Sequence, residues 1–190
     1  MIAVSRILAL AAAATLAGGA AFAQTAISVA PFNSVELRGG GHVVIRHGDV
    51  HRVTLLKGST AFTSIRIRDG NQLVIDACNN ECPALYDLQI EIVTPDIGAA
   101  AVEGGGAIES AGAFPNQRDI ATAVRGGGSV DMRSIDAASA TAAVSGGGNI
   151  QVKAESALTA AVNGGGRIVY WGNPNVTSVV NGGGSVGKGS

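Results

Sequence analysis

The sequence contains few aromatic residues, few charges and only two cysteines, and each scarcity excludes a class of protein. Aromatic residues make up 4% and charged residues 14% of the 190 positions, and the formal net charge is −1. A near-neutral chain lacks the basic surface that nucleic acids require, so no nucleic-acid partner is expected. With so few large side chains, the interior must consist of small and β-branched residues in thin layers.

No apolar run is long enough to cross a bilayer. The eleven-residue run Ile7–Ala17 follows Arg6 and precedes Ala21-Phe22-Ala23, an order typical of a signal peptide and its cleavage site. The sequence therefore predicts a signal peptide over 1–23 and export to the periplasm, the cell surface or the extracellular space. A buried N-terminal helix is the alternative interpretation of this segment.

The two cysteines, Cys78 and Cys82, are close in sequence. An even, close pair in an exported chain predicts a disulfide. Because an extended segment of this length spans about 13 Å, the residues between them must turn. A redox or metal pair is the alternative, but the spacing is not Cys-x-x-Cys and no second ligand pair exists. No metal site and no cofactor are predicted.

Glycine is abundant instead, with 28 residues, and Gly-Gly-Gly recurs along the chain. From Gly104 onward the spacings between successive triples are 22, 20, 18 and 18 residues, which predicts a stack of repeated coils. A flexible linker and a phosphate-binding loop are the alternatives, but apolar residues at fixed offsets and strand patterns after the glycines oppose both. The triples begin at Gly39, Gly104, Gly126, Gly146, Gly164 and Gly182.

Aliphatic residues stand at fixed distances from each triple. Valine lies two positions before the first glycine, and isoleucine or valine lies four positions after it. These period-2 patterns predict a strand, a glycine corner and a second strand in each repeat. The repeats are expected to stack as coils of a parallel β-solenoid, with neighbouring coils about 4.8 Å apart. The two columns are Val102, Val124, Val144, Val162 and Val180, and Ile108, Val130, Ile150, Ile168 and Val186.

The preceding part of the chain is less regular. It contains six strand candidates, and Asp69-Gly70-Asn71 reads as a hairpin turn between two of them. We expect antiparallel strands here that cover the first open coil of the solenoid. The predicted organisation is a signal peptide (1–23), a linker (24–31), a strand-rich N-terminal part (32–97) and the glycine solenoid (98–190).

Several of these motifs resemble a known family. Phe32-x-x-Val35, the paired strands around Gly70, Val93-x-Pro95, the repeated glycine triples and Tyr170-x-Gly172-x-Pro174 resemble the family described as "putative auto-transporter adhesin, head GIN domain". Members usually carry Gly-Ser-Gly where this chain carries Gly-Gly-Gly. The resemblance implies a right-handed parallel β-helix in an exported protein, and it assigns no functional residues.

The outward positions of the predicted strands form two different faces. The strand after the glycines exposes charged residues flanked by Arg133, Lys153 and Trp171, which we interpret as a candidate ligand site. The strand before the glycines exposes small residues that suit a protein partner or another copy of the chain. These flat-face candidates are Ala123, Ala143, Ala161, Thr141, Thr159 and Thr177. The alternative for both faces is that they bind nothing: the small residues merely suit a tight sheet, and Trp171 packs locally.

The function predicted from these features is a non-catalytic binding or adhesin-like module for a protein or glycan partner. His47 and His51 could converge only across a turn, and no catalytic triad or carboxylate pair within one coil is recognisable. The alternatives are a polysaccharide-acting enzyme on a β-helix scaffold and a passive structural component of the envelope.

Overall fold

A computed structural model describes residues 24–79 and 81–190, so the predicted signal peptide lies outside the described residues. These residues form fifteen strands, and none of them forms a helix that could cross a membrane. The strands are β1 Thr25–Ile27, β2 Ser34–Gly39, β3 His42–His47, β4 Arg52–Lys57, β5 Ser64–Arg68, β6 Gln72–Asp76, β7 Gln89–Thr94, β8 Ala99–Gly104, β9 Ala107–Ala111, β10 Gln117–Gly126, β11 Ser129–Gly146, β12 Asn149–Gly164, β13 Arg167–Trp171, β14 Asn175–Asn181 and β15 Ser185–Lys188.

The strands join one mixed sheet that curls into an open half-barrel. One arm of the sheet runs in the order β5, β6, β2, β8, β10, β11, β12 and β14, and the other runs β1, β4, β7, β3, β9, β11, β12, β13 and β15. The long strands β11 and β12 take part in both arms. Each therefore carries the second half of one repeat and the first half of the next.

The predicted columns are confirmed by the strand register. Val102, Val124, Val144 and Val162 pair in succession across β8, β10, β11 and β12, and all four are at most 1% exposed. The second column pairs in the same way from Ile108 to Val186. Because the same residue type recurs at each level, the two arms share a dry, continuous apolar interior.

The glycine corners are crowded at the first and third positions and open at the second. Gly146 has φ of +121°, and a Cβ there would lie 2.6 Å from the carbonyl oxygen of Gly126 in the coil below. A Cβ at Gly148 would lie 2.6 Å from the carbonyl oxygen of Gly128, whereas a Cβ at Gly147 would meet nothing within 4 Å. Glycine is therefore required at two of the three positions, whereas the second position has room for a side chain.

The N-terminal part joins the same stack in an unexpected order. Gly39 pairs with Gly104 and Leu37 with Val102, so β2 and β3 form a regular coil beneath β8 and β9. The next coil outward is β6 and β7, which follow β2 and β3 in the chain but lie farther from the solenoid. The connection from β7 to β8 therefore passes over an earlier coil.

Antiparallel pairing is confined to the outermost layer. There β4 pairs with β7, β5 with β6 and β1 with β4, and the predicted hairpin turn at Gly70 is confirmed. The expectation of an antiparallel N-terminal part holds for this layer but is wrong for β2 and β3, which pair only in parallel because their inward residues continue the columns of the solenoid. The strands β6 and β7 are parallel to β2 and β3 on one side and antiparallel to β5 and β4 on the other. The all-β class is confirmed; because the sheet is mixed and open, a right-handed parallel β-helix stays a prediction.

The predicted disulfide is present. Cys78 and Cys82 are joined, and their Cα atoms lie 6.0 Å apart. The bridge lies in the connection between β6 and β7, at the covered end of the stack. It therefore fastens the loop that links the two arms of the outermost parallel coil.

Candidate ligand-binding groove

Arg133, Lys153 and Trp171 come together on the outer surface of the second arm. They line a groove of about 470 Å³ together with Ser110, Asp131 and Ser134. The contributing strands β9, β11, β12 and β13 are successive levels of the stack. We call this site the Trp171 groove. It exists because equivalent positions of successive coils lie above one another.

Arg133 is fixed in the groove by Asp131. Its Nε donates to Asp131 Oδ1 at 3.0 Å and its Nη2 to Oδ2 at 2.6 Å, so the carboxylate is held at both oxygens. These hydrogen bonds raise the pKa of Arg133 above its ordinary value. The guanidinium carbon lies 4.9 Å from the centre of the Trp171 ring, within the range of a cation–π contact.

Lys153 lies beside Trp171 on the neighbouring strand, where the two residues pair in register. Its Nζ lies 2.7 Å from Asp136 Oδ1 and 3.9 Å from Glu155 Oε1. The hydrogen bond to Asp136 raises the pKa of Lys153, so its ammonium stays charged throughout the neutral range. Both cations of the groove are thus paired with carboxylates, and the groove has little net charge.

Two serine hydroxyls belong to the groove but were not predicted. Ser134 Oγ donates to Ser110 Oγ at 2.6 Å, and Ser110 Oγ donates to the backbone oxygen of Asp131 at 3.3 Å. Ser110 pairs with the buried Ile45, and it occupies the position after the glycine triple that Met132, Val152 and Tyr170 occupy in later repeats. A lone polar residue in an otherwise apolar column was the signal that could have identified it.

Trp171 is half-buried: one part of its ring lines the groove, and another part packs against the nearby C-terminal segment. The backbone at Gly189 packs so closely on the indole that a Cβ there would overlap the ring. The indole therefore stands between the C-terminal segment and Arg133. This packing holds the ring in a fixed orientation at the edge of the groove.

The flat face lies on the other arm, and its register is as predicted. Ala123, Ala143 and Ala161 pair in succession, and Thr141, Thr159 and Thr177 form the adjacent column. The three threonines and Ala143 are exposed, whereas Ala123 and Ala161 are half-buried. We call this surface the alanine–threonine face. It is flat because its outward side chains are short.

A network of charges borders this face at its N-terminal end. Glu36 is only 5% exposed and accepts hydrogen bonds from Arg38 at 2.9 Å and Arg68 at 3.0 Å. Arg38 pairs in register with Glu103 of the next coil, and Glu103 pairs with Arg125, whose Nη1 lies 2.9 Å from its carboxylate. The pKa of Arg38 is raised because Glu36 accepts its hydrogen bond. The alternating signs stabilise three neighbouring coils at this edge.

The histidines are separated in the fold. His47 packs edge-on against Phe114, and His51 packs against Phe32 and lies 3.3 Å from Thr94 Oγ1. His42 lies 3.4 Å from Glu109. Within residues 24–79 and 81–190, no group of three potential metal ligands is close enough to hold an ion.

The geometry defines a class of protein: an all-β stack of repeats with a mixed polar groove on one outer face and a flat surface of small residues on the other. Residues 116–174 match the model of the family described as "Putative auto-transporter adhesin, head GIN domain", which confirms the resemblance predicted from the sequence. None of the curated proteins matches the chain.

Solved structures similar to this chain include several described as adhesins or adhesion proteins. A putative adhesin from Bacteroides fragilis is 14% identical, with a TM-score of 0.53 over 87% of this chain and 96% of that chain. A putative adhesin from Parabacteroides merdae (13% identity, TM-score 0.41, 88% and 96% covered) and a putative cell adhesion protein from Clostridium sporogenes (8%, 0.40, 87% and 98%) are more distant. The first shows a shared fold.

Proposed function

We propose that this chain is an exported, non-catalytic binding module whose Trp171 groove holds a saccharide. One observation carries the proposal. Arg133, Lys153 and Trp171, which belong to three different repeats, line one groove with two serine hydroxyls. A rigid stack holds these groups at fixed distances without the entropy cost of ordering loops.

The chemistry of the groove suits a neutral, hydroxyl-rich ligand. Its cations are already paired with Asp131 and Asp136, so a fully charged anion would compete with built-in carboxylates. The groove can still make several kinds of contact with a ligand. Its hydroxyls and ammonium group can donate hydrogen bonds, its carboxylate oxygens can accept them, and its indole can contact C–H groups. A sugar ring presents that combination of hydroxyls and apolar edges.

The groove gives little support for the enzymatic alternative. Glu109 and Asp131 pair in register on neighbouring strands, and a glycosidase requires two nearby carboxyl groups of which one holds a proton. Both oxygens of Asp131 accept hydrogen bonds from the Arg133 guanidinium. This carboxylate is therefore already engaged in an ion pair within the groove, which favours a role in holding Arg133 over a role in bond cleavage.

A protein partner is the second candidate, on the alanine–threonine face. Its exposed threonines and Ala143 form a surface that an extended or flat partner could approach closely. A pull-down with Ala143→Glu would test this face, since one buried charge opposes docking. If the variant retains a partner as well as the unaltered protein does, the alanine–threonine face is not the docking site, and a passive structural role for this face is favoured.

The same proposal includes export and the finer architecture. The signal peptide over 1–23, the linker over 24–31 and the division at 97/98 remain predictions. The Cys78–Cys82 disulfide supports an oxidising compartment. The parallel registers from β8 to β15 support a right-handed β-helix, the hand expected for parallel crossovers. The neighbours described as putative adhesins favour a binding role at or beyond the cell envelope.

A glycan array followed by calorimetry on residues 24–190 tests the proposed ligand class. Arg133→Ala and Lys153→Ala should each weaken binding by about tenfold, because each removes a charged hydrogen-bond donor. Arg125→Ala and Lys57→Ala are matched controls, because both residues are ion-paired and exposed but lie outside the groove. Saccharide binding that is equal in all four variants would contradict the proposal.

A further inference from the structure

The last coil of the stack has an uncovered apolar end. Every residue of β14 is exposed, and this strand pairs only with β12. Val176 and Val180 continue the inward columns of Leu158 and Val162, yet they are 39% and 40% exposed, whereas those two residues are at most 1% exposed. The interior of the stack is therefore open to solvent at β14.

Among the described strands, four have a neighbour on one side only: β1, β5, β14 and β15. Three of them carry features that prevent edge pairing. β1 has three residues, β5 carries Arg66 and Arg68, and β15 has four residues and ends in Lys188. By contrast, β14 has seven residues and no charge. It is the edge most able to accept another strand.

The residues of β14 are also self-complementary. The strand reads Asn-Val-Thr-Ser-Val-Val-Asn, and the pattern is nearly symmetric about Ser178. In an antiparallel pair centred there, Val176 lies opposite Val180 of a second copy, and Asn175 lies opposite Asn181. The inward valines then meet valines, and the amides at each end meet amides.

We propose that two copies of this chain associate through their β14 edges, antiparallel and centred on Ser178. A two-fold axis at Ser178 closes the assembly, so the contact yields a dimer rather than a filament. The second strand supplies the missing hydrogen-bond partners of the edge. It also covers the exposed valines, as the next coil covers their counterparts elsewhere in the stack. This inference does not depend on the proposed saccharide ligand.

Cross-linking of a variant with one added cysteine tests the register, since Cys78 and Cys82 are already joined to each other. Ser178→Cys places two thiols directly opposite each other across the axis, at a separation that a disulfide can span. Mild oxidation should give a covalent dimer at least about tenfold faster than in Thr159→Cys, because only the first pair is held together. Thr159 is a control that is also exposed and lies one coil away from the edge. Equal rates would overturn the register.

Sedimentation equilibrium tests the association itself without new covalent chemistry. The average mass of residues 24–190 should double between micromolar and millimolar concentration. Ser178→Lys should abolish the doubling, because two ammonium groups would face each other at the axis, and Thr159→Lys should preserve it. Circular dichroism confirms that both variants remain folded. A mass that stays monomeric at millimolar concentration, or that doubles equally in Ser178→Lys, would overturn the proposal.

Discussion

The guanidinium of Arg133 lies 4.9 Å from the centre of the Trp171 ring, although β12 separates the strands that carry them. This contact spans three levels of the stack. Arg133 lies in the irregular segment of β11 after Met132, where the register with β12 shifts, so its side chain is not held to the regular strand spacing. Trp171 is also the sole tryptophan of the chain, so its fluorescence reports on this groove alone.

Arg133→Ala should shift the emission of Trp171 to longer wavelength, because the ring loses its cover and meets more water. The free energy of unfolding should fall by less than about 1 kcal/mol, because the ion pair and the cation–π contact are both partly exposed. Steady-state fluorescence and urea unfolding measure the two effects. Unchanged emission would mean that the contact does not persist in solution.

Gly147→Ser should be tolerated and should leave stability equal or raise it by up to about 1 kcal/mol, because it restricts only the unfolded chain. Gly148→Ala, one position later, should destabilise by about 2 kcal/mol or more, because the new Cβ overlaps a backbone oxygen of the coil below. Urea unfolding of both variants makes a matched comparison. Equal losses would contradict the stacked corner.

Val144→Ala and Val180→Ala remove the same atoms from the same column at different depths. Val144 is 1% exposed and Val180 is 40% exposed. The first substitution should cost about 2 kcal/mol and the second less than about 1 kcal/mol, since the lost transfer free energy follows the area buried. The measurement is thermal or urea unfolding at micromolar concentration, where association does not contribute. Equal costs would show that the last coil is covered.

Asp136→Asn should lower the pKa of Lys153 toward its ordinary value of 10.5, because the raised pKa depends first on the hydrogen bond to Asp136. The folded-state pKa lies above the unfolded one, so the stabilisation is present below pH 10.5 and is lost as the pH rises through the raised value. An NMR titration of the Lys153 side chain measures it. The same pKa in both proteins would exclude this pair.

The columns of the stack could be predicted because each residue type recurs at a fixed distance from a glycine triple. The order of the coils could not, because the position of β2 and β3 between β6 and β8 depends on which levels pair, and no local pattern specifies that. Sequence reasoning grouped Arg133, Lys153 and Trp171 by repeat position. It missed Ser134, which enters the groove through the bulge in β11, and a bulge leaves little trace in periodicity.

The central claim is that stacking brings residues of successive repeats into one groove, and the pair Ser110 and Ser134 tests it most directly. Their hydroxyl oxygens lie 2.6 Å apart. In the double variant Ser110→Cys and Ser134→Cys, mild oxidation followed by peptide mass spectrometry should reveal an intramolecular disulfide between these positions in most molecules. A control pair, Ser110→Cys with Ser145→Cys, should not cross-link, because Ser145 lies on the other arm. If positions 110 and 134 stay reduced, or link no more often than the control, the groove described here does not exist in solution.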